Sequence, residues 1–263
     1  MPETKINIVS VEFQGENPLS DAQREQLIKH IQQQDLWITP EEPDSNWVNQ
    51  GLKPMRDALG ERGYFRNNVE GTPYLVLAQA NERRYVLSVS IESGPQYRLG
   101  KMRFASVSDK PLVFTDAILR QQTNLQEGDL FDVTMIRQGL ESISRLFGSK
   151  GYIDATPEPE TTIDEKASRI DLLIKVDEGQ PYRVVKLKFL GLGTKTQNEL
   201  SAPQQIGDFF NPALWHAFFQ DNKTRLPPDS SPSRNMPVSR DTANGTVDIT
   251  LDFRPCRKTQ PLD

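Results

Sequence analysis

Hydrophobic positions along the chain recur in two periods. From Val48 to Tyr64 the apolar residues Val48, Leu52, Met55 and Leu59 fall at the spacing of an amphipathic helix. The same set returns without a gap as Ile136, Leu140, Ile143 and Phe147. Glycines repeat with it, Gly51 with Gly139, Gly60 with Gly148 and Gly63 with Gly151, and a tyrosine follows the last glycine each time. Glycine inside a helix costs about 1 kcal/mol against alanine, so Gly51 and Gly139 suggest close approach to another backbone. Gly63 and Gly151 suit a left-handed helix stop. Asp132 is positioned to cap the second helix, and Asp44 to Asn46 to cap the first. Two other segments, RRYVLSVSIE and SRIDLLIKVDE, alternate with period two and predict strands with one wet face.

The surrounding pattern gives each copy the order strand, helix, helix, strand, strand. KINIVSVEFQG alternates with a slip between Ile8 and Val11, and Ser20 can cap a helix running to about Gln34. In the second copy YRLGKMRF is the first strand and Thr115 to Gln122 the first helix. GYFRNNV and GYIDATP read as short strands after the second helix, followed by loops. A divergent third copy opens with YRVVKLKFLG. Its helix signal GDFFNPALWHAFF echoes GDLFDVTMIRQGL, and a turn-rich, mobile loop from Arg225 to Gly245 precedes the last strand TVDITLDFRP. The expected fold class is α+β, built of tandem β-α-α-β-β repeats. Each is a three-stranded mixed sheet under two helices, with the last strand central. The expected divisions are 1–94, 95–179 and 180–263, the third with a C-terminal tail.

A second echo marks the joints. ESGPQYRLGKMRF and VDEGQPYRVVKLKFLG each pass from an acidic residue through glycine and proline to tyrosine and arginine. Such short proline-containing connections restrict the angle between neighbours, which predicts a semi-rigid curved rod.

Composition narrows the function classes. The 263 residues carry a net charge of -5 and no clustered basic face of the kind that binds nucleic acid. The single cysteine, Cys256, rules out an intramolecular disulfide. His30 and His216 have no ligand partners at metal spacing, so no metal and no cofactor is expected. GLGTK, Gly191 to Lys195, lacks the full phosphate-loop spacing and reads as a turn. Trp47 and Trp215 read as core. The start MPETKINIVS has no signal-peptide pattern, which fits either a cytosolic chain or one whose signal has been removed.

The order of elements, the Gly-Tyr after each second helix and the DEGxxYxV junction resemble tandem polypeptide-transport-associated (POTRA) domains. These occur in outer-membrane barrel assembly factors, in two-partner secretion transporters and, singly, in a septal division protein. The resemblance implies a non-enzymatic periplasmic or outer-membrane-associated scaffold with a signal peptide removed, either the soluble part of a longer protein that carries a membrane barrel or a stand-alone repeat protein. Its partners would be outer-membrane β-barrel proteins or envelope-complex subunits. The mode would be β-augmentation, in which an extended client adds to an exposed sheet edge. The alternative is a docking module of another envelope complex, in division or secretion. The expected edges run from Tyr64 to Val69 and from Tyr152 to Thr156. They put Tyr64, Phe65, Arg66 and Asn67, and Tyr152, Ile153, Asp154 and Ala155, at the client.

Overall fold

A computed structural model of the chain describes residues 4–15, 17–38, 45–79, 81–108, 110–193, 196 and 199–254. They gather into two compact units. One consists of Met1–Arg103, Thr123–Gln138 and Glu160–Leu173, the other of Phe104–Gln122, Gly139–Pro159 and Ile174–Asp263.

The N-terminal sheet contains β1 (Thr4–Gln14), β2 (Leu36–Ile38), β3 (Asn68–Ala78) and β4 (Glu82–Glu92), in the order β2-β1-β4-β3. As the pattern predicts, the last strand is central. It runs parallel to β1 and antiparallel to β3. The slip in the first strand is a register shift between Ile8 and Ser10, which restores the alternation that buries Val11. The short β2 is an addition to the expected three strands and pairs only with the start of β1. Helix α1 (Asp21–Gln32) opens on a capping box in which Ser20 and Gln23 exchange side-chain-to-backbone bonds.

The stripe Val48, Leu52, Met55 and Leu59 of α2 (Ser45–Gly60) is buried against Leu87, Val89 and Ile91 of β4. Burying each such side chain is worth about 1.5–3 kcal/mol. Gly71 lets α2 settle onto β3, since a Cβ there would lie 2.8 Å from Leu52 Cδ1 and 3.0 Å from Val48 Cγ1. The expectation for Gly51 is corrected. Its missing Cβ would meet side chains only, Leu36 at 3.6 Å and Ile8 at 3.7 Å, so no backbone approaches it.

A second sheet takes β5 (Arg98–Ser106), β6 (Thr156–Asp164) and β7 (Arg169–Asp177) in the order β5-β7-β6, again with the last strand central. The helices of this stretch are α3 (Asp116–Thr123) and α4 (Val133–Gly148). Asp132 accepts the Met135 amide at 2.9 Å and so caps α4 as expected.

The C-terminal sheet orders β8 (Arg183–Leu190), β9 (Val238–Asp241) and β10 (Thr246–Asp252) as β8-β10-β9, with β10 parallel to β8 and antiparallel to β9. Helix α5 (Pro212–Asp221) is capped by Asn211 and buries Trp215, Phe218 and Phe219. The stretch read as a mobile loop instead holds the short helix α6 (Pro232–Asn235), capped by Ser231, and the edge strand β9. The third copy therefore keeps the strand order of the other two.

One strand assignment shifts in both earlier copies. Residues 64–67 and 152–155 are turns, and the edge strands begin afterwards, at Asn68 and Thr156. Asp44, the end of GLGTK and Cys256 lie outside the described residues.

Candidate functional site

The residues expected to meet a client lie at two stitched turns. After α2, Gly63 adopts φ +79 and its carbonyl accepts the Tyr97 amide at 2.7 Å. The Tyr97 carbonyl in turn accepts the Phe131 amide at 3.0 Å. Tyr64 packs on the N-terminal core, Phe65 stacks edge-on against Phe131 with centroids 5.2 Å apart, and Arg66 pairs with Glu165 at 2.5 Å. Asn67 folds back to donate to the Tyr64 carbonyl at 2.7 Å. Tyr97 itself is buried and donates its hydroxyl to Glu165 at 2.6 Å. Donation to that carboxylate, helped by burial, raises the tyrosine pKa above its ordinary value.

The second turn repeats the arrangement. Gly151, at φ +87, accepts the Tyr182 amide at 2.9 Å, and Tyr182 accepts the Phe210 amide at 2.8 Å. Tyr152 lies edge-on to Phe147, Ile153 packs on the C-terminal core, and Asp154 pairs with Arg240 at 2.9 Å. Ala155 donates its amide back to Tyr152 at 3.3 Å, closing the turn. The Gly-Tyr signal thus marks a glycine that only a residue without Cβ can fill: a Cβ would lie 2.5 Å from Tyr97 O at Gly63 and 2.7 Å from Tyr182 O at Gly151.

The open edges differ in what they offer. The edge strand β6, TPEPETTID, carries Pro157 and Pro159 and is rich in acids. Proline is tolerated in a strand where its missing N–H faces away from the partner, so both withdraw donors from the free side. With its charges, β6 is a guarded edge. The edge strand β9 is only 4 residues long. The outer starts of β5 and β8 are sealed by backbone bonds, Leu99 N to Asp129 O at 2.8 Å and Val184 N to Asp208 O at 2.9 Å.

The strand β3 is different. It is 11 residues long and shows solvent a run of apolar side chains, Tyr74 at 56%, Leu75 at 54%, Val76 at 60% and Leu77 at 37% exposure. An edge of this length and polarity is a ready template for another strand.

Its backbone orientation follows from the pairing register. Pro73 sits opposite Leu87 of β4 and has no N–H to give, so residue 73 turns its peptide groups to the free side. Alternation places Val69, Gly71 and Leu75 on that side too, and Glu70, Thr72 and Tyr74 on the β4 side. Two bonds agree. Gln79 N donates to Glu82 O at 2.8 Å, which sets the same parity through the register shift between Leu75 and Leu77. The Val69 carbonyl, on the free side, accepts from Arg56 at 2.9 Å.

Sequence reasoning missed Tyr74 to Leu77 because PYLVLA was taken as part of a loop. Its signal was present: an apolar β-former run that faces RRYVL across a short polar turn, as in a hairpin. His30 and His216 sit at exposed helix positions.

In fold the chain is similar to tandem POTRA domains. Residues 97–179 match the family model POTRA, "Surface antigen variable number repeat". Over 96% of its length the chain superposes on 97% of the Haemophilus influenzae BamA POTRA3-5 structure, with a TM-score of 0.63 at 18% identity. The POTRA1-3 segment of Omp85 from Anabaena aligns over 97% of each chain at 15% identity, with a TM-score of 0.37.

Proposed function

We propose that the chain is a non-enzymatic scaffold that takes up extended polypeptide segments by β-augmentation, in outer-membrane protein assembly or protein translocation. Its setting is the periplasmic side of the outer membrane, and its clients are unfolded or nascent barrel strands. In this reading 1–94, 95–179 and 180–263 are successive repeats, and Tyr64–Asn67 and Tyr152–Ala155 form the stitched turns within them. The observation that carries the proposal is the free edge of β3. Alone among the described edge strands it combines length, exposed apolar side chains and unblocked backbone groups. Main-chain pairing suits clients of many sequences, because every peptide unit offers the same donor and acceptor.

The test is binding of a labelled peptide copied from an outer-membrane β-strand, followed by fluorescence anisotropy. Leu75→Pro removes one outward donor and leaves the β4 ladder intact, so binding weakens by about threefold to tenfold, the worth of one hydrogen bond. Unchanged binding with the fold intact argues against this edge. Capture of one stoichiometric envelope partner, insensitive to Leu75→Pro, supports instead a dedicated docking module.

A further inference from the structure

The edge of β3 is open, but not along its whole length. Arg56, half-buried on α2, reaches across to it. One terminal nitrogen donates to Val69 O at 2.9 Å and to Asn49 Oδ1 at 3.0 Å; the other donates to Asn49 O at 3.0 Å. The Val69 carbonyl belongs to the free side of the strand, so the guanidinium occupies an acceptor that an incoming strand would use. The grip is charge-assisted and anchored at Asn49 on its own helix, and evicting it leaves a cation without its partners.

Two residues further along the free side from Gly71, Pro73 withholds its donor. Beyond Leu75 the register shift breaks the regular pairing. Beyond Val69, what remains is the amides of Gly71 and Leu75 and the carbonyls of Gly71, Pro73 and Leu75.

We infer that Arg56 is a positioning residue that sets the register of docking, confining an added strand to the segment Gly71–Leu75. This rests on reading β3 as the docking edge. The occupant it selects is a short extended segment. Aligned antiparallel, its residues facing Gly71, Pro73 and Leu75 each need an N–H, so proline is excluded at alternate positions; an apolar side chain opposite Tyr74 meets that ring on one face, and one opposite Leu75 meets Leu75 on the other. The restriction also serves the free protein. A fully open apolar edge would pair with the same edge of another copy, and shortening it opposes that.

The test compares wild type, Arg56→Ala and Asn49→Ala, the last loosening the guanidinium without removing it. Two peptides are used, one covering Gly71–Leu75 only and one extended to reach Val69. Wild type binds both within about twofold. Arg56→Ala binds the longer about threefold to tenfold more tightly than the shorter, one bond gained. Asn49→Ala falls between. An equal gain from lengthening in wild type and Arg56→Ala overturns the inference.

If neither peptide binds any of the proteins, the docking reading fails, and sedimentation decides the role of Arg56 by itself. Arg56→Ala self-associating at lower concentration than wild type, with Leu75→Pro reversing it, supports a guarded edge. Identical sedimentation of wild type and Arg56→Ala overturns it.

Discussion

Replacing Gly63 by alanine tests the stitched turn. The residue holds φ +79, a left-handed conformation that costs an L-residue roughly 1–2 kcal/mol. The added Cβ would also lie 2.5 Å from the Tyr97 carbonyl oxygen, a separation at which backbone must move. The movement falls on Tyr97 N to Gly63 O, 2.7 Å, and Phe131 N to Tyr97 O, 3.0 Å. Each such bond is worth about 0.5–1.5 kcal/mol net. The expected loss is therefore roughly 2–5 kcal/mol.

Gly128 supplies the control: it has φ +98, but nothing lies within 4 Å of its ideal Cβ, so Gly128→Ala carries only the conformational cost of about 1–2 kcal/mol. The same pair recurs in the next turn, with Gly151 near Tyr182 O at 2.7 Å and Gly207 unobstructed. Urea unfolding of the full chain, followed by circular dichroism, should rank Gly63→Ala and Gly151→Ala well below Gly128→Ala and Gly207→Ala. If all four lose the same stability, the glycines serve backbone conformation alone and the stitching argument is wrong.

Other expectations follow from single residues. Gly51→Ala places a methyl in ordinary contact with Leu36 and Ile8 inside α2, so thermal unfolding should show stabilisation of about 0.5–1 kcal/mol. Trp215→Phe removes the buried 2.9 Å bond to Gln204 and leaves space beneath α5. Denaturant titration should show a loss of about 2–4 kcal/mol. The raised pKa of Tyr97 has a definite sign. Its folded state favours the protonated phenol, so its contribution is complete below the ordinary tyrosine pKa of about 10 and is lost as pH rises through the higher folded value. The stability gap between wild type and Tyr97→Phe should therefore narrow above about pH 10 when unfolding is followed at several pH values.

The repeat was legible because its signals are local. The stripe of α2 and α4, the alternation of β4 and β7 and the glycine before each tyrosine survive as sequence periods. Central placement of β4, β7 and β10 followed from their stronger alternation. The edge strands were misread because an edge buries only one side and part of one face. TPEPETTID carries two prolines and little apolar pattern, yet forms β6 because proline costs nothing where no partner needs its N–H. The partners of Phe65 and Arg66 are at Phe131 and Glu165, far along the chain, and no local pattern reveals them. Arg56 was invisible for the same reason. It looks like an ordinary polar position of an amphipathic helix, and its meaning depends on which way Val69 turns its carbonyl.

Amide hydrogen exchange across β3, with and without a strand peptide, is the most direct test of the account. In the free protein Glu70, Thr72 and Tyr74 should exchange slowly, being bonded to β4, while Gly71 and Leu75 exchange fast. Peptide should slow Gly71 and Leu75 and leave their neighbours as they were. Slow exchange at Gly71 and Leu75 before peptide is added, or protection that appears elsewhere and passes them by, would contradict the claim that this edge receives the client.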